Sequence, residues 1–283
     1  MFRSLVLRAA GTNCDQETAQ ALRLAGTEAD IVHVNAVLAG RVRLHPYQIL
    51  VIPGGFSYGD DISAGKVFAN QLRIKLAEQL EAFVKSKKLV IGVCNGFQVL
   101  VKTGLLPGFH DMDDDQLTTL AVNDSGRFQC EWVGIERQNS RATWLDSLPL
   151  NFELPIAHGE GRFVAKSEAV LQKLISNKQV VFRYKPVNPN GSAFDIAGIT
   201  NHRGNVVGLM PHPERFVKPY QHPAWTRPAA VVPSPLRGGG EGGGKTSSAV
   251  KEKEPKPVST EPAGLQFWKA AVEYVMERGE TES

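Results

Sequence analysis

The sequence predicts an α/β protein: a doubly wound, mostly parallel sheet with an antiparallel subregion. Two observations carry this. Short apolar runs alternate with helical patterns through the first hundred residues, the order that builds a parallel sheet covered on both faces. Helical periodicity then fades between Leu117 and Val164, where antiparallel pieces are expected.

The elements follow in order. Ser4–Leu7 reads as a strand, and Asp15–Ala25 as a helix closed by Gly26, since glycine accepts the left-handed turn that ends a helix. Ile31–Val34 and Ile49–Ile52 read as strands. Phe68, Leu72, Leu76, Leu80 and Phe83 recur at three- and four-residue steps, the apolar stripe of a helix. Leu89–Val93 (LVIGV) is a buried-type strand, followed by a helix over Asn95–Lys102 that Gly104 stops. Ile196–Ile199 and Val206–Met210 are strands again.

Residues 219–263 break the pattern. Eight of the 17 prolines fall between Pro219 and Pro262, and six glycines crowd residues 238–244. So few large apolar side chains cannot offset chain entropy, which is the signature of a flexible linker. Leu265, Trp268, Val272 and Val275 then mark one face of a closing helix. The expected organisation is one catalytic domain over 1–218, a linker over 219–263, and a helix over 264–278 that returns to the domain.

Composition excludes several classes. The 283 residues are 42% hydrophobic and 22% charged, and the net charge of +3 is too small to argue for nucleic acid or a membrane surface. Three cysteines are too few for a disulfide scaffold, and their odd number points to a reducing compartment. No apolar run approaches the ~20 residues of a spanning helix. A cytoplasmic protein is expected.

The sharpest motif is Gly92-Val93-Cys94-Asn95-Gly96, set between a strand and a helix. A nucleophile elbow has this layout, with cysteine in place of serine. Flanking glycines let the chain turn sharply where a Cβ would clash. The helix N-terminus favours thiolate, and the Asn95 amide would face an oxyanion. Read alone, a free cysteine is more often buried and inert. Its context argues otherwise.

A free thiol is only a few per cent ionised at neutral pH and needs a base. His212 lies in Met210-Pro211-His212-Pro213-Glu214 at a strand end. In extended chain, residues two apart share a face, so Glu214 could fix the His212 tautomer. Pro53-Gly54-Gly55 follows another strand, where backbone amides can approach a ligand closely. All three motifs follow strands, so they can meet at one edge of the sheet.

The weaker signals are these. Gly239–Thr246 spells a phosphate loop but lacks the strand and the apolar helix that motif requires. Cys14 sits after the first strand, where Asn13 or Asp15 could cap a helix, and Cys130 between Phe128 and Trp132 reads as core. No Cys/His set has zinc spacing. The acidic run 111–115 reads as a solvated loop rather than a cation site.

Taken together, TNCD (12–15), PGGFSYGDD (53–61), GVCNGFQVL (92–100), NDSGRFQC (123–130), LPIAHGEGRF (154–163), NPNGS (188–192) and MPHPERF (210–216) resemble the class I glutamine amidotransferases. Within that class the match is to the glutaminase-subunit branch of phosphoribosylformylglycinamidine synthase. The resemblance implies that Cys94 is the nucleophile, His212 the general acid/base and Glu214 its orienting partner. It implies an oxyanion hole from Gly55 and Asn95, glutamine held with help from Gln98, and His158 and Glu160 near that pocket. It further implies no cofactor in this chain. ATP and magnesium would be used by a large synthetase subunit, accompanied by a small adaptor subunit. Ala10 departs from the proline common in the family, and the linker is an insertion. The competing reading from residues alone is a Cys-His hydrolase, a peptidase or deglycase, which would share the elbow without needing Gln98. A non-catalytic binding module would not need Cys94, His212 and Glu214 together.

Overall fold

The computed structural model describes residues 2–60, 63–110, 112, 115–226 and 261–281. Its centre is a nine-stranded sheet. The strands are β1 (Arg3–Arg8), β2 (Glu28–His33), β3 (Ile49–Ile52), β4 (Leu89–Val93), β6 (Gln129–Arg137), β7 (Asn151–His158), β9 (Val180–Tyr184), β10 (Ile196–Thr200) and β11 (Val206–Leu209). Two more, β5 (Thr118–Ala121) and β8 (Arg162–Ala165), pair separately. The sheet order is β2-β1-β3-β4-β11-β10-β9-β6-β7. The first five strands run parallel, and the rest are antiparallel to their neighbours. This is the predicted class: a mostly parallel sheet with an antiparallel subregion.

Helices α1 (Asp15–Leu24), α2 (Val34–Leu38), α3 (Lys66–Lys75), α4 (Ala77–Lys85), α5 (Asn95–Thr103), α6 (Glu168–Ser176) and α7 (Ala263–Thr281) complete the chain. α1 packs with α7, and α3 with α5. Strands β3, β4 and β11 are buried at every position, which apolar runs covered on both faces require. In β7 only Leu154, Ile156 and His158 are buried, every second residue, as in a strand with one wet face.

Three local expectations shift. The second strand spans Glu28–His33, because Val34 opens the short α2. The stripe from Phe68 to Phe83 lies on two helices, parted at Leu76 where φ is −127°. Its five residues are nevertheless all buried. Cys130 is exposed rather than core. On β6 the inward phase belongs to Val133 and Ile135, and Cys130 faces the opposite way. Cys14 itself occupies the N-cap of α1, without a side-chain cap bond.

Residues 219–226 pack on the domain: the His222 ring lies 4.4 Å from Trp132, and its Nε2 3.0 Å from Glu153 Oε2. The rest of the expected linker, from 227 to 260, lies outside the described residues, as does the phosphate-loop lookalike at 239–246. α7 buries Phe267, Trp268, Ala271 and Val272. Its start is tight against the chain after His212. A Cβ on Gly264 would lie 2.0 Å from the Pro213 carbonyl oxygen. Among the described residues, no helix is long and apolar enough to cross a membrane.

Candidate active site

Cys94 stands between β4 and α5 with φ +51° and ψ −105°. A left-handed φ is strained for a residue with a Cβ and persists only where its surroundings impose it. Here they do. The Cys94 amide donates to the Leu209 carbonyl at 2.8 Å. A Cβ on Gly96 would lie 1.8 Å from the Ile52 oxygen, and one on Gly92 2.6 Å from the Gly96 oxygen. Both glycines are therefore steric requirements of the elbow. The Cys94 side chain is nearly closed off from solvent, with Sγ 3.7 Å from the Ala157 carbonyl.

His212 leaves the end of β11, the neighbour of β4, and precedes a single 3-10 turn over Pro213–Arg215. Its amide donates to the Pro155 carbonyl at 2.8 Å, joining the parallel half of the sheet to β7. His212 Nδ1 lies 2.6 Å from Glu214 Oε1, and both side chains are buried. Burial opposes charge on the imidazole. The Glu214 carboxylate, Cys94 and Cys14 outweigh it and hold His212 well above the usual histidine value. Its Nε2 makes no directed hydrogen bond. One ring nitrogen is fixed by a carboxylate while the other is left for chemistry, the layout of a nucleophile's base.

These groups converge over Gly54. A Cβ there would lie 2.9 Å from His212 Cε1, 3.1 Å from Cys14 Sγ and 3.5 Å from Cys94 Cβ. Gly55, at φ +141°, bridges to Thr12, and a Cβ would lie 2.7 Å from the Asn13 nitrogen. Asn95 opens α5 and accepts the Ser57 amide at its Oδ1 at 3.3 Å. The Gly55 loop and the α5 N-terminus are thus pinned to one another beside Cys94.

Gln98 and His158 lie on the opposite wall. Gln98 accepts from Asn95 Nδ2 at 2.9 Å and donates to the Glu160 carbonyl at 2.6 Å. Its amide holds the 158–161 loop against α5. His158 ends β7 on the buried phase, with Nδ1 3.1 Å from Asn123 Oδ1 and Nε2 unpartnered. Burial, then the nearby His212, lowers its pKa to about 4, so it is neutral at working pH. Asn123 fastens this wall with bonds to the carbonyls of Arg127 and His158 and from the Gly161 amide.

The structure thus brings Cys94, His212, Glu214, Gly55, Asn95, Gln98 and His158 into one region. Sequence reasoning missed Cys14 as a member. It is 1% exposed, with Arg215 Nη2 3.2 Å from its sulfur. Only the meeting of chain segments about two hundred residues apart reveals it. Among the described residues, Cys14, His212 and Glu214 are three potential metal ligands within 4.8 Å of one another. The chemistry of the set is unfavourable to a cation. Glu214 is engaged by His212, and a guanidinium sits on the Cys14 sulfur. Asp115, from the acidic run, is exposed and lies 3.7 Å from Lys166.

Residues 1–237 match the family described as the CobB/CobQ-like glutamine amidotransferase domain. The chain is 47% identical over 232 residues to "phosphoribosylformylglycinamidine synthase subunit PurQ" of Dehalococcoides mccartyi, covering 79% of this chain and 89% of that protein. It is 37% identical over 281 residues to the protein of the same name from Methanococcus maripaludis, covering 95% and 97%. Among solved structures, a chain of PurLQS from Thermotoga maritima superposes with a TM-score of 0.64 at 36% identity, covering 78% of this chain and 91% of that one.

Proposed function

Because the chain belongs to the CobB/CobQ-like glutamine amidotransferase family, we propose that Cys94, His212 and Glu214 hydrolyse the side-chain amide of glutamine through a cysteine thioester. The chain is a glutamine amidotransferase, the glutaminase subunit of phosphoribosylformylglycinamidine synthase in purine biosynthesis. The observation that carries the mechanism is the strained Cys94 elbow beside a buried imidazole, fixed by a carboxylate at 2.6 Å.

His212 takes the Cys94 thiol proton, and the thiolate attacks the amide carbon of glutamine. The amides of Gly55 and Asn95 receive the developing oxyanion, which preorganised donors stabilise without rearrangement. His212, raised toward its protonated form by Glu214, gives a proton to the departing ammonia. It then takes one from the water that cleaves the thioester. Gln98 helps hold glutamine through the wall it pins, and neutral His158 is part of that wall. No step in this chain uses a cofactor.

Ammonia passes to a large synthetase subunit, which uses ATP and magnesium to convert formylglycinamide ribonucleotide to the amidine. A small adaptor subunit completes the assembly, in the cytoplasm. The catalytic domain takes in residues 1–218 and the 219–226 segment packed on it, and helix α7 returns to it. The test is glutamate release from glutamine with the synthetase partner present. Cys94→Ala should abolish it, and activity that survives would sink the mechanism. Proteolysis without glutamate release would favour the peptidase alternative.

A further inference from the structure

One thiol in the site has no part in this chemistry. Cys14 lies on no elbow, and burial pushes its thiol up to about 11, so it stays protonated at neutral pH. Yet its sulfur is within 4.8 Å of a His212 ring nitrogen and of a Glu214 carboxylate oxygen.

Its own restraints are specific. The Cys14 amide donates to the Gly54 carbonyl at 3.2 Å, and its carbonyl receives the Thr18 amide at 3.0 Å. Its thiol faces Asn13 Oδ1 at 3.2 Å. Arg215, the residue after Glu214, donates from Nη2 to the Cys14 sulfur at 3.2 Å and from Nε to Glu17 Oε1 at 2.9 Å. One guanidinium therefore ties the catalytic turn to the first turn of α1, at two points.

Such a tie answers a geometric problem. The turn after His212 is only Pro213–Arg215, and hydrogen bonding anchors the imidazole at Nδ1 alone. Nε2 must stay unbonded to serve Cys94, so packing has to hold that edge. The Cys14 sulfur fills the space that Gly54 leaves beside His212 Cε1, a slot in which even a methyl group on Gly54 would collide.

We infer that Cys14, held in place by Arg215 and Glu17, is a positioning residue that keeps the His212 imidazole aligned on Cys94. The inference rests on the proposed glutaminase reaction. The groups that face His212 are Glu214, Cys94 and Cys14, with Arg215 behind Cys14 and His158 across the site. The Cys14 sulfur lies within 4.8 Å of a His212 ring nitrogen, and its electron-rich surface beside the ring favours the protonated imidazole. Removing it should move the basic limb of the activity profile to lower pH.

The experiment uses the full chain assembled with its synthetase partner and measures glutamate release across pH for Cys14→Ala, Cys14→Ser, Arg215→Met and Glu17→Gln. Cys94→Ser serves as the zero. Cys14→Ala and Arg215→Met should each lower kcat about 10- to 100-fold, with KM for glutamine within about twofold. In Cys14→Ala the basic limb should move down by about 0.5 pH unit. Cys14→Ser should recover much of kcat, and the Cys14→Ala/Arg215→Met double variant should lose little more than the worse single one. Wild-type kcat and pH profile in a folded Cys14→Ala variant would overturn the inference, as would lowered thermal stability alone or strict additivity. Failure of the underlying reaction would show differently, as glutamate release that is absent from wild type or retained in Cys94→Ser.

Discussion

The two halves of the sheet do different work. In the parallel half, β1, β3, β4 and β11 deliver Cys14, Gly54, Cys94 and His212 from their C-terminal ends. β3, β4 and β11 are buried at every position, and at the ends of such strands a backbone at φ +51° can be over-determined. The outer antiparallel strands β6 and β7 are wetter, and β7 alternates, although β10 beside β11 is buried throughout. What the antiparallel half brings is a wall: the carbonyls of Pro155 and Ala157, then His158 and the 158–161 loop held by Gln98. Strained groups that react need rigid, fully enclosed supports. Groups that shape a pocket can sit on a half-exposed strand. Perturbation of the first half should strike turnover, and perturbation of the second should strike binding and stability.

The largest expected effect tests the first half. Glu214 is 1% exposed with Oε2 unpartnered, so Glu214→Gln removes the buried charge that favours protonated His212 and leaves a buried amide N–H unsatisfied. It also removes the acceptor that fixes His212 and favours its charged form. Glutamate release in the complex should fall about 10²- to 10⁴-fold, with the unfolding midpoint at neutral pH lowered as well. A loss below tenfold would show that turnover is not governed from this half.

The same division decides what could be read from the sequence. Apolar runs such as Leu89–Val93 and Ile49–Ile52 coincide with strands, because total burial leaves no other pattern. The elbow was legible because its glycines are local steric necessities. β9 and α6 are missing from the sequence reading; α6 carries an apolar stripe of Val170, Leu171, Leu174 and Ile175, yet buries only Leu174. Cys130 is exposed despite its apolar neighbours, because an apolar neighbourhood in sequence does not fix which face of a strand a residue occupies. Cys14 could be read only as a helix start. Its partner Arg215 is 201 residues away, and no local pattern encodes that meeting.

A middling effect tests the second half through pH. His158 has a pKa of about 4 in the folded chain, against 6.5 for an ordinary histidine. The unfolded chain therefore binds this proton more readily. The stability that depends on neutral His158 is complete above about pH 6.5 and is lost as pH falls toward about 4, by up to about 3 kcal/mol. Urea unfolding at pH 7.5 and 4.5 should show a drop in wild type that exceeds the drop in His158→Asn by most of that amount. Equal drops would mean that the wall is not built around a neutral imidazole. At neutral pH the variant should raise KM for glutamine more than it lowers kcat, the reverse of Glu214→Gln.

The smallest effect separates the three cysteines. Cys14 and Cys94 are buried at the ends of the parallel half, whereas Cys130 is exposed on β6. An exposed side chain on a solvent-facing phase contributes little packing, so Cys130→Ser should change stability by less than about 0.5 kcal/mol and leave glutamate release unaltered. A small thiol reagent should consume Cys130 first, in a fast phase that the variant lacks and that leaves activity intact. A slower phase should follow the loss of glutaminase activity, as Cys94 is reached through a nearly closed site, and the protonated Cys14 thiol should react last. If activity is lost during the fast phase instead, solvent reaches the elbow as freely as it reaches β6, and the contrast between an enclosed half and a wet one does not hold in solution.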